Sequence, residues 1–124
     1  MEQEMKENKL IADFMGVQYK SDEDYFKELA EMREDGIFYE QGYMESQLNY
    51  ESWGWLMPVV EKIEEQHGCD FTASRRRATR TYDANFMDEV NNYVAYVEDC
   101  KDRKEATYKA VVEFIKNCVS LEKE

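Results

Sequence analysis

The chain has 124 residues, 43% of them hydrophobic and 14% aromatic, and carries a formal net charge of −12. That length predicts one domain able to fold without staples, and the aromatic share excludes disorder despite the charge. No stretch approaches the roughly 18 uninterrupted apolar residues of a membrane-spanning helix, and the bulk negative charge argues against nonspecific binding to nucleic acid.

In chain order, the first predicted element is a helix over 4–15. Leu10, Ile11, Phe14 and Met15 share one face, and Gly16 follows as a stop. Its opening residues, MEQEMKENK, lack the apolar core of a signal peptide, so a cytosolic location is expected. Ser21-x-x-Asp24 reads as an N-cap with an acid at the third position. Tyr25, Phe26, Leu29 and Met32 then keep helical spacing, which predicts a helix over 22–34. Two short strands around a turn at Gln41-Gly42 are predicted over 37–50, because Met44, Ser46, Leu48 and Tyr50 alternate with Glu45, Gln47 and Asn49.

The next predicted element is a helix over 52–67 with Ser52 as N-cap. Trp53, Leu56, Met57, Val60 and Ile63 make its core stripe, while Trp55 and Val59 point elsewhere. Pro58 removes one backbone bond, to the carbonyl of Gly54, which predicts a separated first turn or a bent axis. A hairpin is expected over 69–82, turning at Arg75–Arg76, with Phe71 and Ala73 on one face. Residues 90–98 fit a helix or a strand. A strand near 92–98 is favoured, since a third strand makes a sheet better able to stand alone. Last is a helix over 103–119, opened by the capping-box-like Asp102-x-x-Glu105, with Tyr108, Val111, Val112, Ile115 and Val119 on its apolar face. The predicted fold is α+β, a single-domain sandwich of three to four helices packed on a small, mainly antiparallel sheet.

Three cysteines without a CxxC pair suit reduced thiols. Cys100 and Cys118 read as small buried hydrophobes. His67-Gly68-Cys69 reads as a turn after a helix rather than a metal site, and no cofactor is expected. No phosphate loop, nucleophile elbow or metalloprotease motif is present, and carboxylate pairs carry no information in so acidic a chain. A non-catalytic protein is therefore expected.

Charge is unevenly distributed. Residues 21–51 hold ten acids against two bases, among them Glu28, Glu31, Glu34, Asp35, Glu40 and Glu45. The first expectation for such a run is a solvated face; the sharper one is a nucleic-acid mimic, in which fixed carboxylates track a cationic groove built for phosphates. Tyr25, Phe26, Phe38, Tyr39, Tyr43 and Tyr50 would then be apolar anchors if exposed. Arg75, Arg76, Arg77 and Arg80 form the one basic patch. They are expected to pair with the protein's own surplus acids, and a partner-binding loop is the second reading.

Two blocks, SWGWLMPVVEKIE at 52–64 and KEATYKAVVEFIK at 104–116, resemble the paired signature of small uncharacterised proteins carried by phages and prophages of Bacteroidetes-type bacteria. Residues 17–50 and 69–103 do not share the likeness, and Asn117-Cys118-Val119 stands where those proteins tend to have Trp-Tyr-Asn. The resemblance implies a phage context, in which small acidic proteins often inhibit host defence enzymes, anti-CRISPRs among them. It carries over no functional residue. The leading expectation is an inhibitor that binds a host protein with a basic nucleic-acid-binding groove, without direct nucleic-acid or membrane contact. A self-associating structural or regulatory protein is second, and a small enzyme third.

Overall fold

The computed structural model of the chain describes residues 2–38, 42–90 and 92–122, with side chains described from 5 to 118 within those ranges. Where length predicts one domain, the chain divides into two compact units, Met1–Asn49 and Tyr50–Glu124. Their sheets are hydrogen-bonded separately, a two-stranded pair in the first and three strands in the second.

The first unit holds α1 (Glu2–Met15), β1 (Tyr19–Lys20), α2 (Asp22–Asp35) and β2 (Tyr43–Met44). The Ser21 side chain accepts from the Asp24 N–H as the cap spacing predicts, and Gly36, left-handed at φ 70°, closes α2 through its N–H to the Met32 carbonyl. The strands pair in parallel, Tyr19 with Tyr43 and Lys20 with Met44, with α2 as the crossover between them. Gly42 makes this pairing possible. Its φ is 76°, and a Cβ there would stand 2.6 Å from the Gln18 carbonyl oxygen, which accepts the Tyr43 N–H at 3.0 Å.

The strands predicted over 37–50 are thereby reduced to two residues, and Tyr39, Glu40 and Gln41 lie outside the described residues. A 3₁₀ turn, Glu45–Gln47, replaces the rest. Side chains supply the reason: Gln47 accepts the Met44 N–H at 2.9 Å, and Asp22 accepts both the N–H and the hydroxyl of Ser46. These local bonds occupy backbone groups that a strand would have used.

The second unit runs α3 (Trp53–His67), β3 (Asp70–Arg76), β4 (Thr81–Met87), β5 (Tyr93–Cys100) and α4 (Arg103–Glu122). The sheet is antiparallel in the order β3-β4-β5, and α4 lies across it beside α3. Phe86 of the central strand meets Phe71 at 5.0 Å between centroids and Phe114 of α4 at 5.4 Å, while His67 packs edge-on against Phe114. At the start of α4, Asp102 accepts the Glu105 N–H at 2.7 Å as predicted, and the Glu105 carboxylate accepts the Lys101 N–H, one residue before the cap, at 3.1 Å, a variant of the capping box.

Leu56, Val60 and Ile63 of α3 and Tyr108, Val111, Val112 and Ile115 of α4 are buried. The predicted stripe of α3 is otherwise rotated. Trp53 and Met57 are 40% and 39% exposed, whereas Val59 is buried. The apolar arc around the first two turns is wider than one interface, and packing selects the 56-59-60-63 side of it. Trp55 is half-buried, with its ring edge-on to buried Tyr50 at 5.3 Å. Pro58 sits on an exposed position and does not split off the first turn; α3 is continuous. The hairpin turn falls at 77–80 rather than at Arg75–Arg76, so β3 is longer than predicted.

β5 confirms the strand reading of 92–98 but is irregular. Its register shifts once between Phe86 and Met87 of β4 and again between Tyr82 and Ala84. The second shift sets Glu98 and Asp99 opposite the single Asp83, a β-bulge in which Asp99 takes a left-handed φ of 60°.

Candidate functional site: charged surfaces on the two units

Residues 1–49 carry thirteen acids and five bases, a net −8, against fifteen acids and eleven bases, a net −4, in residues 50–124. Several acids of the first unit hold the fold. Asp22, Glu23 and Asp24 occupy the first turn of α2, where the positive end of the helix dipole favours them. Glu28 forms an ion pair with Lys20, and Glu45 pairs with Lys9 at 2.9 Å, so these two candidate contacts are already engaged.

Glu31, Glu34 and Asp35 differ. All three are exposed. Glu34 and Asp35 share the last turn of α2, the negative end of the dipole, with one cation, Arg33, and Glu31 stands a turn earlier at the repulsive i,i+4 spacing from Asp35. Helix electrostatics disfavours acids there. Beyond Gly36, Ile37 and Phe38 are exposed as well, and Phe26 stands 58% exposed on α2. Of the proposed aromatic anchors, Phe26, Phe38 and Tyr43 are exposed, Tyr25 is half-buried and Tyr50 is buried.

The basic patch divides. Arg76 donates from Nε to Asp83 at 2.6 Å and from Nη2 to Glu98 at 2.9 Å and to the Tyr96 hydroxyl at 3.1 Å. These contacts, Asp83 first, hold its guanidinium charged far beyond the usual range. Arg76 therefore follows the expectation of pairing with the protein's own acids. Arg75, Arg77 and Arg80 are exposed, and among the described residues none of them has a carboxylate partner.

The face of the sheet opposite α4 carries Tyr93 and Tyr96, both exposed, with rings 5.2 Å apart. Beside them lies Asn85, whose Oδ1 is buried and has no partner among the described residues. No family model, curated protein or solved structure significantly matches the chain.

Burial raises the thiol pKa of Cys69 and Cys100, which keeps both protonated and poorly nucleophilic near neutral pH. Among the described residues, no cluster of three or more His, Cys, Asp and Glu side chains is placed to hold a metal, and no helix is long and apolar enough to cross a membrane. Sequence reasoning missed two groups. Phe114, central to the second unit's aromatic stack, hides in a helix apolar on several sides. Lys101, Arg103 and Lys104 join the hairpin arginines only through strand register.

Proposed function

We propose that the protein is a non-catalytic, phage-type accessory protein that binds and inhibits a host nucleic-acid enzyme in the bacterial cytosol, a CRISPR effector or another defence nuclease. One observation carries the reading: Glu31, Glu34 and Asp35 stand exposed at the end of α2 that electrostatically disfavours them, next to exposed Ile37 and Phe38. Carboxylates kept against local helix stability, with apolar anchors beside them, suit an interface with a cationic groove. The carboxylates would take the place of phosphates on the groove's arginines and lysines.

The test separates binding from folding. In Glu34→Lys/Asp35→Lys, α2 gains cations at its C-terminus, so thermal stability rises slightly. Inhibition of a purified defence nuclease, and competition with its nucleic acid, should fall at least about tenfold, the equivalent of about 1.4 kcal/mol. Inhibition unchanged by the double reversal rules out the acidic surface. A self-associating structural or regulatory role is the second reading, favoured by the exposed Trp53 and Met57 one turn apart on α3. It predicts a concentration-dependent mass in light scattering, and a constant 14.8 kDa removes it.

A further inference from the structure

The arginine-rich hairpin turn does not stand alone. Strand register aligns Arg75 of β3 with Tyr82 of β4, and Tyr82 with Cys100 of β5. Cys100 leads within three residues into α4, whose Arg103 lies 6.0 Å over the Tyr82 ring. The turn at 77–80 and the start of α4 therefore share one end of the second unit. That end gathers Arg75, Arg77 and Arg80 with Lys101, Arg103 and Lys104, all exposed. With Arg76 set aside, since Asp83 and Glu98 already engage it, residues 75–81 and 99–104 hold six cations and two carboxylates, in a chain whose overall charge is −12. Both carboxylates have local roles, Asp102 as the cap of α4 and Asp99 at the bulge, where it accepts from Thr81.

From this we infer that the hairpin end of the second unit binds the phosphate backbone of a nucleic-acid duplex. Surface chemistry selects the occupant. Protein interfaces are anchored by buried aromatic and aliphatic side chains, and none of the exposed large apolar residues lies within 75–81 or 99–104. The surface offers guanidinium and ammonium groups, with the exposed Ser74 beside them, the donor set that phosphate oxygens accept from. Single strands are bound largely by stacking bases on exposed aromatic rings. The rings near this end are engaged, Tyr82 half-buried beneath Arg103 and Tyr96 stacked on Tyr93 with its hydroxyl accepting from Arg76, which favours backbone contact with a duplex. Repulsion from the rest of the chain confines contact to this end and to low ionic strength. The proposal does not depend on the acidic surface of the first unit.

Fluorescence anisotropy with labelled duplexes of about 20 base pairs, RNA in one arm and DNA in the other, tests it over a range of salt. Binding should weaken with salt. Arg75→Gln/Arg77→Gln/Arg80→Gln should weaken it at least tenfold at low salt and lower the slope of log K against log salt by about 2–3. Lys101→Gln/Arg103→Gln/Lys104→Gln should act in the same direction, while Glu34→Lys/Asp35→Lys should leave the duplex contact in place. A difference between the arms identifies which duplex is preferred. Three outcomes overturn the proposal: no binding at low salt, binding indifferent to both triple substitutions, or displacement by polyglutamate as effective as by unlabelled duplex, which would mark an acidic protein as the occupant.

Discussion

Arg76 and Asp83 are diagonal neighbours across the β3–β4 pair, and the Asp83 carboxylate does two jobs at once. One oxygen takes the Arg76 Nε–H at 2.6 Å, and the other takes the main-chain N–H of Asp99 at 3.3 Å, at the bulge of β5. At 8% exposure, Asp83 is a buried carboxylate whose charge is met on both sides. Asp83→Ala leaves the Asp99 N–H without its acceptor and should destabilise the protein by about 1–3 kcal/mol in urea unfolding. Asp83→Asn keeps an acceptor and should cost less. Equal stability of the two variants would mean that the Asp99 contact contributes nothing.

Gly42→Ala should disrupt the parallel pair of the first unit. The new methyl meets the Gln18 carbonyl at 2.6 Å, and the left-handed φ of 76° disfavours any side chain. A loss of about 2 kcal/mol or more is expected, together with faster amide exchange at Tyr43, whose N–H bonds to that carbonyl. Unchanged exchange at Tyr43 would show that the chain relaxes around the methyl.

Tyr19 should titrate well above the usual phenol range. Burial, then its hydrogen bond to Asp13 at 3.0 Å, pushes its pKa from 10.0 up to about 12. A folded-state pKa raised above the unfolded value contributes stability that is complete below about pH 10. That contribution is lost as pH rises through about 12. Ultraviolet titration should show a phenol ionising near pH 12, and Tyr19→Phe should remove both that step and its share of the alkaline loss of stability. A titration of Tyr19→Phe identical in shape to wild type would refute the assignment.

Phe114→Ala should cost about 3–5 kcal/mol, because it opens the stack between Phe86 and His67. Trp53→Ala, at an exposed position, should cost far less. Parallel urea curves decide this, and the reverse order would restore the stripe that spacing alone predicts for α3.

That reversal shows where sequence and structure part. Two caps were legible because their chemistry is local: Ser21 with Asp24 and Asp102 with Glu105 need only neighbouring residues, whereas Ser52 takes the N-cap position of α3 without a side-chain capping bond. Facing was not legible wherever an apolar arc exceeded one interface, as with Trp53, Met57 and Val59. β5 looked part helix for a geometric reason. In a regular strand Tyr93 and Tyr96 point to opposite faces, but the register shift between them places both opposite α4. The second bulge does the same for Val97 and Cys100 on the α4 side. Two extra residues thus turn a two-residue period into three-residue spacing. The charged surfaces were legible as composition. That Glu28 and Glu45 were engaged, and that Lys101, Arg103 and Lys104 stood beside the hairpin turn, depended on contacts across the fold.

The same bulges have a second consequence. β5 is a terminal strand of its sheet, and its YVAYV run at 93–97, aromatic, β-branched and uncharged, has the composition of a segment prone to cross-β stacking. A flat strand of that composition would template the addition of further chains. Here the register against β4 shifts at both ends of the run, which twists the strand, and the Asn117 side chain donates to the Val94 carbonyl at 2.6 Å. An irregular strand of this kind should resist such stacking, and straightening it by deleting Asp99 or Val94 should raise fibril formation, read as thioflavin fluorescence against the unaltered chain.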